Sequence, residues 1–236
     1  MIDLHTHILP GVDDGAKTAQ DSIAMLQMQY ETGVDTVVLT PHYYPQKEPL
    51  ANFLSRRAAA WEQLQAAILA LPQERLCCLP RLILGAEVAY TPGLYALEGL
   101  QALCIGNTKN MLLELPFFVW DTQMVHSLYD FLGRAGVTPI LAHIERYFAC
   151  QKKKFLDEVL ELGLPVQVGL QGLERRFSHT LRLLKQGKAH MIASDCHDLH
   201  HRRPELARAM EYVEKKLGME YVAELTELAK QLVGEA

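Results

Sequence analysis

The amino-acid sequence predicts a parallel α/β protein whose strands suit a (β/α) barrel, regular or distorted, better than an open doubly wound sheet. Three observations carry that expectation. Short apolar runs alternate with longer helical patterns along all 236 residues. Several runs, such as Val37-Val38-Leu39 and Met111-Leu112-Leu113, are apolar without alternation, as strands covered on both faces are. Glycines punctuate helix ends ahead of the next strand, at Gly33, Gly136 and Gly163.

In chain order, strands are expected at residues 2–5, 34–40, 82–87, 111–115, 138–143, 166–169 and 191–194. Helical patterns lie near 18–32, 51–70, 122–135, 151–162, 173–186, 204–217 and 219–233. Thr18 offers the first helix an N-cap with Asp21 three residues on, and Gly33 a C-cap. Residues 41–51, with Pro41, Pro45 and Pro49, read as a loop. No repeat, low-complexity stretch or Pro/Gly/Ser linker divides the chain, so residues 1–236 are expected to form one domain. The last two helices fit either a cover over the strands or an interface.

Composition excludes several classes. With 49% hydrophobic and 22% charged residues, the balance is that of a globular chain rather than a disordered one. A net charge of -5 provides no global basic field to gather nucleic acid. The five cysteines lack zinc-ribbon spacing, and Cys77 and Cys78 are adjacent. That usage fits reduced thiols and a cytoplasmic setting better than a disulfide framework. The start, Met1-Ile2-Asp3-Leu4-His5, has neither the basic nor the apolar region of a signal peptide. No apolar run approaches the roughly 20 residues of a membrane span, so no membrane insertion is expected.

The ten histidines decide more. His5 and His7 flank Thr6 at the end of the first strand, where i and i+2 share a face and can reach one ion. His42 follows the second strand, Glu87 ends the third, Glu114 falls near the end of the fourth, and His143 ends the fifth. Asp195 and His197 follow the last, again at i, i+2. Six apolar strands thus deliver a His, Asp or Glu at their C-terminal ends, the face on which barrel enzymes build active sites. Core packing alone would place apolar residues there, and gathered carboxylates need cations between them. A multinuclear metal site is therefore expected. In the first loop, Gly11-Val12-Asp13-Asp14-Gly15, one carboxylate can add a ligand while the other closes an Asx-type turn on Gly15.

These residues resemble a known family. His5-Thr6-His7, Asp13-Asp14-Gly15, Thr40-Pro41-His42, Ala86-Glu87-Val88-Ala89-Tyr90-Thr91-Pro92, His143-Ile144-Glu145-Arg146-Tyr147 and Ser194-Asp195-Cys196-His197 are similar to the polymerase and histidinol phosphatase (PHP) superfamily. Within it they most resemble the bacterial protein-tyrosine phosphatases of capsule and exopolysaccharide clusters. The resemblance runs from residue 2 to about residue 204. It implies a distorted (β/α)7 barrel with three divalent ions at the C-terminal face, manganese favoured over iron or zinc. His5, His7, Glu87 and Asp195 would hold the first ion. Glu87, Glu114 and His143 would hold the second, and Asp14, His42 and His197 the third. Arg146 and Arg202 would face the substrate phosphate, with Arg203 the alternative to Arg202. The implied substrate is the phosphotyrosine tail of a bacterial tyrosine kinase. A small-molecule phosphatase, such as one for histidinol phosphate, is the alternative.

The chemistry is coherent with that reading. Four carboxylates against three divalent ions leave a cationic pocket in an acidic chain, which suits a phosphate monoester. Bound ions make hydroxide available near neutral pH, and arginines neutralise the phosphoryl oxygens. A phenol with pKa about 10 leaves with little protonation. Asp198 or His200 could act as an acid near the site, or belong to a solvated loop. Cys196 and Arg202 reproduce the Cys-x5-Arg spacing of cysteine-dependent phosphatases. The intervening residues contain no glycine and include an aspartate, so the thiol is expected to be a bystander. Tyr43, Tyr44, Phe117, Phe118, Tyr147 and Phe148 follow strand ends closely and either wall a slot for the substrate ring or pack within loops. Gln151-Lys152-Lys153-Lys154 is expected to be a solvated helix start.

Overall fold

The structure, a computed structural model, describes residues 1–174 and 179–235. The chain is a mixed α/β fold with parallel sheets. Strand β1 (Ile2–Thr6) leads into α1 (Ala19–Glu31), then β2 (Thr36–Leu39) and the short β3 (His42–Tyr43). Helices α2 (Leu50–Leu69) and α3 (Gln73–Leu76) precede β4 (Arg81–Leu84) and β5 (Glu87–Ala89). Next come β6 (Asn110–Glu114), α4 (Thr122–Arg134), β7 (Thr138–Leu141), α5 (Lys153–Leu160) and β8 (Gln167–Val168). The last elements are α6 (Leu170–Glu174), α7 (His179–Lys185), β9 (Met191–Ile192), α8 (Leu206–Leu217) and α9 (Met219–Val233).

Two expected strands are interrupted. The run 34–40 becomes β2, with β3 forming beyond Pro41 inside the expected loop, and the run 82–87 divides into β4 and β5 around Gly85-Ala86. The interruptions align, because β2 pairs with β4 and β3 with β5. Backbone bonds from Gly85 N to Leu39 O (2.9 Å) and from Glu87 N to Pro41 O (3.1 Å) span the gap. The expected helix at 173–186 corresponds to the end of α6 and to α7; its residues 175–178 lie outside the described residues. Thr18 and Asp21 form a reciprocal capping box on α1; its C-cap is Thr32, and Gly33 follows with φ 86° to make the turn into β2.

All strand pairings are parallel, in the orders β1-β2-β4, β3-β5-β6-β7 and β8-β9. Isolated bridges join Leu141 to Val166 and Thr6 to Cys196. The strands separate two apolar layers. Outward-facing Val37, Leu39, Met111, Leu113 and Leu141 pack with helix residues such as Leu26, Leu64 and Leu128. Ile2, Leu4, Val38, Leu112, Ile140 and Met191 form a second cluster, into which α9 inserts Ala229, Leu232 and Val233. Burying each such Leu or Val contributes roughly 1.5–3 kcal/mol. The Asn110 side chain donates to Leu232 O at 2.8 Å, fixing α9 at the N-terminal ends of the strands. The last helix is thus a cover over the strands, opposite the end where the polar residues gather. Among the described residues, no helix is long and apolar enough to cross a membrane.

Candidate metal centre

A bulge in β1 makes the centre possible. Asp3 pairs with Val37 and Thr6 with Leu39, so β1 carries one extra residue between those pairs. Leu4 lies in the inner apolar cluster, yet the next residue, His5, also points inward, to Glu87 and Asp195. Without the extra residue, alternation would send His5 and His7 to the helix side.

His5 Nε2 and His7 Nε2 stand 3.0 Å apart, each 3.2–3.3 Å from Glu87 Oε2 and 3.3 Å from Asp195 Oδ1. These spacings match the edges of a tetrahedron around one ion, about 3.3 Å for ligand distances near 2.0–2.1 Å. Neighbouring side chains fix the tautomers. Gln167 Oε1 accepts from the His143 backbone N–H at 2.7 Å, so the nitrogen 3.2 Å away, His5 Nδ1, is a donor and Nε2 keeps its lone pair. Likewise His7 Nδ1 donates to Asp13 Oδ2 at 2.7 Å.

Glu87 faces two ways. Its Oε2 meets His5, His7 and, at 2.8 Å, His42 Nδ1; its Oε1 accepts from His143 Nε2 at 2.8 Å. His143 Nε2 is also 3.4 Å from Glu114 Oε1. Asp14 Oδ1 is 3.5 Å from both His42 Nε2 and His197 Nε2. His197 Nδ1 donates to the Asp195 carbonyl at 2.9 Å, leaving Nε2 buried without a hydrogen-bond partner. Among the described residues, three groupings can each hold an ion: His5, His7 and Glu87; His42, Glu87 and Glu114; and His7, Asp14, His42 and His197. The orphaned buried atoms, which include His42 Nδ1, Glu87 Oε2 and His197 Nε2, fit such ions. So does the donor chemistry, imidazole and carboxylate without thiolate, which suits Mn²⁺, Fe²⁺ or Zn²⁺.

The electrostatics require cations. Burial alone would raise Glu87, but the neighbouring His5 and a hydrogen bond from His143 hold it well below the usual carboxylate range. Asp195 is likewise pushed up by burial and held down by His5 and His7. Burial disfavours a proton on His7, yet Asp13, Asp195 and Glu87 hold its pKa well above the ordinary value. His143 is opposed by burial and pushed up to about 9 by Glu114 and Glu87, whereas burial and positive His7 bring His197 down to about 3. Protonated histidines supply here the compensation that divalent ions would supply.

The first loop divides its two aspartates. Asp13 closes the turn by accepting from Gly15 N at 2.9 Å, and its other oxygen accepts from His7 and from His42 N (2.9 Å). Asp14, 65% exposed, reaches the centre. Gly15 is required for this approach, because a Cβ there would lie 1.9 Å from His7 O. His143 and Asp195 are the non-glycine residues with positive φ among the described residues, at 31° and 52°. Each such backbone costs on the order of 1–3 kcal/mol and persists because its surroundings over-determine it, here Gln167 on His143 N.

Arg146 and Arg202 converge on Asp195 Oδ2, Arg202 Nη2 at 2.6 Å, while Asp195 Oδ1 faces His5 and His7. Arg203 lines the same pocket without contacting Asp195. Asp198 accepts from the backbone N–H groups of His200 (2.6 Å) and His201 (2.5 Å); it caps a turn, and although burial pushes its carboxyl up, those bonds hold it below the usual range. That suits a loop residue better than a proton donor. Cys196 is fully buried on the far side of the strand, 3.9 Å from Gln29 Nε2, and burial raises its thiol well above the ordinary value. Tyr43 and Tyr147 are core residues, and Phe148 stacks on His179 at 4.8 Å. Tyr44 and Phe117 lie beside the centre, 5.3 Å from the His42 ring and 6.2 Å from the His143 ring. Lys153 and Lys154 are exposed and pair with Asp157 and Glu158 along α5.

Sequence reasoning missed Gln167, the hydrogen bond of Asp13 to His7, and Asp3. Asp3, fully buried, accepts from Ser194 N at 3.0 Å and from Gln29 Nε2 at 2.5 Å, tying β1 to the segment carrying Asp195. A polar residue inside an apolar strand run was the available signal for Asp3 and Gln167.

Parallel strands that end on clustered imidazoles and carboxylates, with two guanidiniums at one edge, define a class of metal-centred α/β protein. A family model described as capsular polysaccharide synthesis, CpsB/CapC, matches residues 1–233, and the chain belongs to that family. It is 30% identical to the tyrosine-protein phosphatase CpsB of Streptococcus pneumoniae, over 95% of this chain and 94% of that protein. It is 32% identical to the tyrosine-protein phosphatase YwqE of Bacillus subtilis (strain 168), over 99% and 91%. Its fold superposes on a solved structure from work on YwqE and CpsB, described as unique metal-dependent tyrosine phosphatases. That match has a TM-score of 0.79 and 28% identity and covers 100% of this chain and 95% of the other. A phosphotriesterase from Mycobacterium tuberculosis, 13% identical with TM-score 0.52 over 100% and 93% of the two chains, shares the fold.

Proposed function

We propose that this chain is a metal-dependent protein-tyrosine phosphatase acting on the phosphotyrosine tail of a tyrosine kinase of capsule or exopolysaccharide synthesis. The observation that carries the reading is Glu87, whose two oxygens face two different imidazole sets while Asp195 links a third group of residues, the arginines, to the same centre. Relatives named tyrosine-protein phosphatases over nearly their whole length support it.

In this reading His5, His7, Glu87 and Asp195 hold one ion, Glu87, Glu114 and His143 a second, and Asp14, His42 and His197 a third. Manganese is the favoured metal. The ions, when bound, supply hydroxide at neutral pH and charge neutralisation at the phosphoryl group. Hydrolysis joins a water oxygen to phosphorus and breaks the bond to the phenol oxygen, returning phosphate and tyrosine. Arg146 and Arg202, anchored on Asp195, donate to the phosphoryl oxygens and orient the ester. Asp13 and Gln167 hold His7 and His5 with their Nε2 lone pairs facing inward.

The scaffold we infer is a distorted (β/α)7 barrel formed by residues 1–236 as one domain. Support comes from the pairings: β2/β3 and β4/β5 align as interrupted strands, and isolated bridges link β7 to the segment before β8 (Leu141–Val166) and β1 to the segment after β9 (Thr6–Cys196). A cytoplasmic setting is part of this reading and rests on the cysteine usage of the sequence. The test is phosphate release from a tyrosine-phosphorylated peptide and from histidinol phosphate in parallel, with Mn²⁺-loaded, chelated and Asp195→Ala enzyme. Peptide preference lost in both controls is the expected result. Preference for histidinol phosphate would replace the substrate, and activity that survives chelation would overturn the metal mechanism.

A further inference from the structure

The loop after β6 is braced yet presents apolar side chains to solvent. Trp120 is buried and donates from Nε1 to Pro116 O at 2.8 Å, and Tyr147 OH donates to Leu115 O at 2.7 Å. Gln151 clamps the loop from the other side, its Nε2 donating to Phe118 O at 2.9 Å and its Oε1 accepting from Trp120 N at 2.8 Å. Between these anchors Phe117, Phe118 and Val119 remain 49%, 62% and 60% exposed. An exposed apolar run on a fixed backbone beside a polar centre marks an interaction site.

Phe117 has a particular position within that run. Its ring is nearly parallel to the rings of Tyr147 (5.1 Å, 20°) and His143 (6.2 Å, 18°), and His143 Nε2 points to Glu87 and Glu114. One part of the ring is therefore packed on a buried aromatic stack while the rest is open at the edge of the metal centre. We propose that Phe117 is the specificity-determining platform on which the aromatic ring of the phosphoester stacks, so that the site selects aryl over alkyl phosphates. This rests on the phosphatase reading above. A ring stacked there gains the contact energy of an aromatic pair and covers Phe117 surface now exposed to water, neither of which an alkyl phosphate supplies. The contact is made by the leaving group before and during bond cleavage, so it appears chiefly in KM.

The experiment compares steady-state kinetics on a phosphotyrosine peptide and on a phosphoserine peptide of the same flanking sequence, with metal content measured on every sample. Phe117→Leu, which keeps apolar bulk without a ring, should lower the ratio of kcat/KM for the aryl over the alkyl ester by roughly tenfold, mainly through KM. Phe117→Trp should keep that ratio within about twofold of the parent. A Leu variant that retains metal and the parent ratio overturns the platform, as does one that slows both esters equally. Loaded parent enzyme that releases no phosphate from the phosphotyrosine peptide overturns the phosphatase reading itself and the platform with it.

Discussion

Replacing Asp13 by Asn should weaken metal binding without removing an ion, whereas replacing Asp14 should remove one. Asp13 Oδ2 accepts from His7 Nδ1 at 2.7 Å and from His42 N at 2.9 Å, and Oδ1 accepts from Gly15 N at 2.9 Å. An amide in the same place offers one acceptor oxygen, so one backbone donor loses its partner whichever way the amide turns. The bond to His7 also changes from charge-assisted, about 1.5–3 kcal/mol, to neutral, about 0.5–1.5 kcal/mol. The difference, about 1–1.5 kcal/mol, corresponds to roughly tenfold in affinity, and the unpaired N–H adds to it. A weakening of about 10–100-fold is therefore expected, as for other groups that orient metal-ligating imidazoles. Metal content measured after dialysis, together with chelator competition, reads the two quantities separately. Asp13→Asn should keep the parent's ion count and release metal at lower chelator concentration; Asp14→Asn should bind one ion fewer. Parent-like chelator resistance in Asp13→Asn would refute the argument that this carboxylate sets the His7 lone pair.

Three further outcomes follow from the geometry. Gln167→Leu removes the acceptor shared by His5 Nδ1 and the strained His143 backbone, and should lower metal affinity by about 10–100-fold, with partial recovery in Gln167→Glu; chelator competition at matched folded fraction tests it. Cys196→Ser should retain catalysis and chelator sensitivity, since the thiol is buried behind the strand with its pKa raised by burial; loss of turnover with folding and metal content intact would restore a cysteine mechanism. The metal-free chain should lose thermal stability as pH rises. His143, opposed by burial but raised to about 9 by Glu114 and Glu87, binds its proton more tightly folded than unfolded, and His7 is shifted in the same direction. That stabilisation is complete below the unfolded value of 6.5 and is lost through about 9. Melting curves with chelator across this window should fall, those with saturating metal should not, and a flat metal-free profile would contradict the compensation argument.

The sequence by itself was enough to place imidazoles and carboxylates at the strand ends. An apolar run followed by His, Asp or Glu is visible in a linear chain because strand burial and buried charge are both properties of residue type. The N-cap of the first helix was legible for the same reason, since Thr18 and Asp21 act within one turn; its C-cap fell on Thr32, one residue before the expected Gly33. Tertiary structure decided what depends on contacts between distant segments. Which aspartate of the first loop closes the turn was set by where His7 and His42 lie, and the inward aim of His5 by a bulge defined only against β2. Arg202 rather than Arg203 meets Asp195 because a turn capped by Asp198 fixes its direction. Gln167 joins His5 and His143 across 162 and 24 residues of chain. A hydrogen-bond partner leaves no periodic trace in the sequence, whereas a buried strand ending in a charge does.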